Sequence, residues 1–180
     1  MSEISIEEFL RSHGAADLPH PGGTLLAHLI RVRRRLTEWG ASPDVQIAGL
    51  CHATYGTDGF AETLLDLADR AVLARLIGER AEALVYFYAS CDRGVTYPRL
   101  RTDQRPLFRD RFSGLEFDPT DADLRAFLEI TAANELDVFE HNEELASRYG
   151  AGFYRLLEPV RALLSPPAWE ALRNLVKLLD

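Results

Sequence analysis

Two histidines carry the first chemical suggestion in this chain. His28 lies within "TLLAHLIRVRRRL", and His52 ends the apolar run "IAGLCH" just before "ATYGTDGF". Histidine titrates nearest neutrality, so two imidazoles on one pocket could serve as general acid and base. Tyr55 and Thr57, just past His52, offer hydroxyls. Gly56 and Gly59 permit positive φ and a close backbone approach to a ligand. A third stretch, "DLRAFLEITAANELDVFEH", carries Asn134 and His141. Asn134 could fix a ligand amide or carbonyl, and Arg93 could pair with an anionic ligand in bidentate fashion. Each residue also has a plainer reading. A core histidine can simply be hydrogen-bonded, Tyr55 can be a packing residue, and "YGTDG" can be a tight turn.

The elements that must position these side chains are helices. Leu25, Leu29, Val32 and Leu36 recur at helical spacing within a helix expected over Gly23 to Trp39, and His28 shares their face. Gly40 stops that helix. Ser42 then reads as an N-cap, Pro43 as the first helical residue and Asp44 as a match to the positive end of the dipole. His52 closes this second helix, so the pair forms a helical hairpin. Asn134 stands in the row Phe127, Thr131, Asn134, Val138, and His141 continues the stripe. Four polar side chains from three helices thus face the expected interior. A buried polar group costs a few kcal/mol without a partner, so a shared pocket is the sharper expectation.

The remaining punctuation completes the outline. Ile4 to Ser12 reads as a short helix with Ser2 or Ser5 as cap, followed by the loop "HGAADLPHPGG". "AETLLDLADRAVLARLIG" reads as helix ending near Gly78, and "ERAEALVYFYASCDR" as another reaching Arg93. On that reading the C-terminal dipole favours Arg93. An irregular excursion over 94–119 holds Arg99, Arg101, Arg105, Arg109 and Arg111, with Asp103, Asp110 and Glu116 as partners and a small hairpin at "LFRDRFSGLEF". One long helix, capped by Thr120 or Asp121, is expected to run through "HNEELASRYG", and two more follow. The sum is about eight helices in one all-α domain over 1–180.

Bulk properties narrow the function. The net charge of −8 disfavours nucleic acid as a partner. The arginines of "RVRRR" fan around a helix, which suggests a solvated face, with a phosphate-facing patch as the sharper alternative. No stretch of about 20 residues is free of charge, so no membrane role is expected. The N-terminus is acidic and lacks a signal-peptide pattern, which makes a cytoplasmic location the default expectation. The two cysteines, Cys51 and Cys91, read as buried free thiols. The apolar C-terminal helix Trp169 to Leu179 would serve a core or a homo-oligomer equally.

The stretch "TLLAHLIRVRRRLTEWGASPDVQIAGLCHA" resembles the opening of the HD-domain superfamily, and within it the ppGpp-hydrolase domain of the RelA/SpoT proteins. "IGERAEALV" and "DLRAFLEITAANELD" resemble later helices of that domain. "HPGGTLLAHL", "WGASPDVQIAGLCHATYGTDGF" and "AANELDVFEH" are most similar to the DUF6817 family, a domain family of unassigned function. The resemblance implies an HD-like helical bundle. It also implies a divalent metal held by His, His-Asp and a distant Asp. His28 and His52 match that pattern. The motif aspartate falls on Ala53, the acidic pair on Gly56 and Thr57, and the last aspartate on Asn134. The carboxylates are missing as a set, which disfavours a hard divalent cation. His20, His141, Asp137 or Glu62 would have to supply a third ligand to His28 and His52.

Three functions follow as expectations. The first is a protein that binds a small anionic metabolite or nucleotide in a helical pocket, acting as an enzyme through His28, His52 and Tyr55, with Thr57, Arg93 and Asn134 on the ligand. The second is a non-catalytic ligand-binding or regulatory domain. The third is a metal-dependent phosphohydrolase or oxygenase with a rearranged ligand set.

Overall fold

A computed structural model describes residues 5–101 and 106–179 of the chain. Ser2, Ile4, Asp103 and Arg105, named above, lie outside the described residues. The backbone forms two compact units, residues 1–89 and 90–180. Helices dominate both, as an all-α class requires, and the strands among the described residues form only two short ribbons.

In the first unit Ser5 caps α1 (Ile6–Ser12) through a capping box with Glu8, and Phe9 and Leu10 are buried. The expected loop contains a two-residue ribbon: β1 (Pro19–His20) pairs antiparallel with β2 (Gly23–Thr24). Gly23 sits at φ 130°, so helix α2 (Leu25–Glu38) starts after Thr24, which accepts a hydrogen bond from Ala27 N–H. The expected start at Gly23 is therefore two residues early. Arg31, expected on a solvated face, donates to the carbonyls of Pro21 and Gly22 and ties α2 to the ribbon's turn.

Pro43 opens α3 (Pro43–Cys51) after Ser42, and α3 packs on α2. Gly49 permits that approach, since a Cβ there would collide with Leu36 Cδ1. A 3-10 turn (Leu67–Asp69) leads into α4 (Arg70–Ile77). Gly78, at φ 90°, ends α4 before α5 (Glu79–Ala89). The packed faces of α2, α3 and α5 form the core of this unit, with Leu29, Val32, Leu50 and Val85 fully buried.

The second unit departs from the expected outline in two places. Helix α5 does not run to Arg93: it ends at Ala89, and α6 (Arg93–Arg99) begins after the N-cap Asp92, whose side chain accepts from Val95 N–H. Arg93 therefore opens a helix and gains nothing from a C-terminal dipole. The cause is long-range pairing. Asp92 N–H donates to the Arg109 carbonyl, Arg111 N–H donates to the Ser90 carbonyl, and Cys91 bridges Asp110, which together turn the chain at Ser90 and draw 91–92 into extended structure. The expected hairpin is present as β3 (Phe108–Arg109) and β4 (Glu116–Phe117). Asp110 holds its turn by accepting from the N–H groups of Phe112 and Ser113.

The second departure is at Asn142. Thr120 caps α7 (Asp121–His141), but Asn142 takes an extended conformation and caps α8 (Glu143–Leu157) through Leu145 N–H, so the single long helix is two. A 3-10 segment (Glu158–Leu163) and α9 (Pro166–Leu179) complete the unit. Helices α7, α8 and α9 pack together around Phe127, Leu128, Leu157 and Leu172.

Candidate functional site

The first unit holds a row of packed rings. His20, presented by β1, stacks on His28 of α2 with ring centroids 4.0 Å apart. His28 meets His52 edge-on at 5.3 Å, and His52 meets Tyr88 of α5 edge-on at 5.1 Å. Phe60 closes the other end, 5.7 Å from His20. His28 is fully enclosed and His52 is 3% exposed. The Nδ1–H of His52 donates to the Gly49 carbonyl at 2.7 Å, which fixes the orientation of the ring. His28 and His52 are thus adjacent. Sequence reasoning had weighed His20 only as a metal ligand and had missed Tyr88. The Pro-Gly-Gly turn after His20 was the signal that a ribbon would fold that ring back onto α2.

Tyr55 belongs to a different network. Its hydroxyl donates to Glu82 Oε1 at 2.8 Å, and Arg70 grips the same carboxylate through Nε at 2.7 Å and Nη2 at 2.8 Å. Arg70 also lies over the Tyr86 ring at 3.9 Å. Burial first, and then the Glu82 carboxylate, push the Tyr55 hydroxyl well above its ordinary pKa, so it keeps its proton. Glu82 and Arg70 escaped notice because Glu82 is a charge on a buried helix face, marked by nothing in its neighbours. Thr57 closes the turn after α3: its N–H and carbonyl pair with Phe60, and its hydroxyl accepts from Gly59 N–H. Gly56 takes φ 68°, against the carbonyls of Phe60, Ala61 and Glu62. Positive φ falls on Gly56 and not on Gly59.

This surrounding chemistry does not fit a hard divalent metal. Ala53, at the motif aspartate, is buried and offers no donor. Gly56 offers none either, and the Thr57 hydroxyl is engaged in its turn. The buried carboxylate of this unit, Glu82, is held by Arg70 and Tyr55. Glu62 is exposed. What remains is a set of imidazoles, poorly matched to a cation that prefers charged oxygen. Among the described residues, three donor atoms lie within 4.8 Å of one another only at Asp137, Glu140 and His141, on the last turn of α7. There His141 Nδ1–H donates to the Asp137 carbonyl at 2.8 Å.

The second unit contains a groove of about 510 Å³ formed by α6, α7 and α8. Arg93 lies in it and pairs with Glu135, Nη1 to Oε1 at 3.3 Å. The same Oε1 accepts from Asn134 Nδ2 at 3.1 Å, so Arg93, Glu135 and Asn134 form one network. Arg101 and Arg148 also line the groove, so its lining holds three arginines and one carboxylate. Its walls are apolar and aromatic: Tyr97, Phe139, Tyr149 and Phe153. The Arg93 guanidinium lies over the Tyr97 ring at 5.7 Å and that of Arg148 over Tyr149 at 5.1 Å. Of the remaining excursion arginines, Arg99 pairs with Glu116 at 3.0 Å and Arg109 with Asp92 at 3.6 Å. Asp110, expected among the arginine partners, also accepts from the turn amides of Phe112 and Ser113.

Both cysteines are free and buried, and no helix among the described residues is long and apolar enough to cross a membrane. The chain is an all-α protein in which one unit encloses the histidine row and the other carries the arginine groove. Residues 9–93 match the model of the DUF6817 family, a domain of unknown function, and the match supports that family for this segment. It spans the whole histidine row and ends at Arg93. Searches of curated proteins and of solved structures find no match.

Proposed function

We propose that the protein binds a small organic anion in the groove of α6, α7 and α8. One observation carries this reading: three arginines and one glutamate are among the residues that line a concave, aromatic-walled space large enough for a small molecule. Arginine suits such a site because its planar fork pairs with carboxylate or phosphoryl oxygen and also stacks on aromatic rings. Arg93 is the central contact, and Asn134 acts through Glu135. A thermal-shift screen of organic anions tests this. Saturating anion should stabilise the protein by about 2.7 kcal/mol at a hundredfold excess over Kd. The gain should vanish in Arg93→Gln. If no anion moves the wild-type melting curve, or if the variant responds equally, the groove is not the site.

A second reading concerns the first unit, where the buried rings of His28 and His52 meet edge-on at 5.3 Å. It supports proton transfer by this pair on a substrate that opens the ring row. Turnover of any identified substrate should then be lost in both His28→Gln and His52→Gln, with the fold retained by circular dichroism. Full activity in either variant would remove that residue from the chemistry.

A further inference from the structure

The aromatic walls and the Arg93–Glu135 pair say more than "anion". We infer that the ligand is an organic anion with a flat, apolar body, and that Glu135 is the residue that sets its charge selectivity. This rests on the anion-binding reading of the groove.

The side chains of Arg93 and Glu135 are 23% and 19% exposed, so both are largely removed from water while touching the groove. Glu135 Oε1 occupies a donor of Arg93 that an incoming carboxylate or phosphoryl oxygen would use. It is an internal stand-in for the ligand's head group. An anion entering the groove must displace that contact or share the guanidinium with it, at the cost of like-charge repulsion. Asn134 Nδ2 holds the same Oε1 and gives Glu135 a partner to retain when Arg93 turns to the ligand.

Charge counting sets the head group. The groove lining holds three arginines and one carboxylate, an excess of positive charge that suits a dianion better than a monoanion. The body follows from the walls. Tyr97, Phe139, Tyr149 and Phe153 present ring surface that hydrated inorganic anions cannot use, while an aromatic ligand gains contact area and stacking. The chemical class is therefore an aryl dianion. Arylphosphate and aryl dicarboxylate share this chemistry, and the experiment separates them.

Isothermal titration of the full-length protein with phenyl phosphate, phthalate and inorganic phosphate provides the test. Phenyl phosphate or phthalate should bind at least about tenfold more tightly than inorganic phosphate, through ring contact. The tighter of the two identifies the head group. Glu135→Gln should strengthen binding of that aryl anion by roughly threefold to tenfold, by removing the competing charge while keeping the side chain's shape. It should leave the neutral probe benzamide unchanged. Inorganic phosphate binding as well as both aryl anions would overturn the apolar body. Weaker aryl-anion binding in Glu135→Gln would overturn the selectivity role and make Glu135 a residue that merely positions Arg93. In either case loss of binding in Arg93→Gln would leave the groove reading intact. Wild-type protein that binds none of the anions would sink both.

Discussion

At the scale of single residues, the sequence showed which faces were buried but not what the buried polar groups touch. His28 was legible from its apolar neighbours one turn away, and it is indeed enclosed. The Tyr55–Glu82–Arg70 network was not legible, because its members lie 27 and 12 positions apart and only folding joins them. That network makes a residue-level prediction. Tyr55→Phe removes one hydrogen bond to a buried carboxylate and should lower stability by about 1–2 kcal/mol in urea unfolding. Glu82→Gln also removes the charge facing Arg70, whose side chain is 38% exposed, and should lower it by about 2–3 kcal/mol. A second prediction concerns pH. Burial raises the Cys51 thiol from its ordinary 9.0 to about 12. A raised pKa means that the folded state holds the proton more tightly. The stabilisation is full below pH 9.0 and is lost as pH rises toward about 12. The Tyr55 shift has the same sign. Urea midpoints measured from neutral pH upward should therefore fall in the alkaline range, and Cys51→Ala should flatten part of that fall.

At the scale of elements, local signals placed the helices and long-range ones moved their ends. Ser42-Pro43 and Thr120 were readable starts, and both hold in the structure. The end of α5 was not readable, since the strand residues that draw out 91–92 lie some twenty positions downstream. The break at Asn142 was readable and overlooked: an Asn followed by two Glu is an N-cap signature. Two glycines test how tightly elements meet. Gly49→Ala drives a methyl into Leu36 at the α2–α3 contact and should cost about 1–3 kcal/mol of stability. Gly56→Ala forces a side chain into positive φ against three backbone carbonyls and should cost about 1–2 kcal/mol. Thermal or urea denaturation of the two variants checks both values.

At the scale of the whole molecule, apolar periodicity and helix punctuation pointed to the helical class, and net charge spoke only against nucleic acid. Within a chain of net charge −8, three arginines nonetheless gather at one groove. Arg101 was read only as one of five excursion arginines and Arg148 not at all, because only the packing of α6, α7 and α8 assembles them. Against that negative background, binding of a small dianion should weaken as salt rises from about 50 to 500 mM, because partly exposed charge contacts are screened. The most direct test of the groove is a two-dimensional amide NMR titration of the full-length protein with phenyl phosphate. The expected result is saturable shifts centred on Gly94, Glu135 and Gly152, absent in Arg93→Gln. Shifts centred instead on Gly49 to Thr57, beside the histidine row, would contradict it.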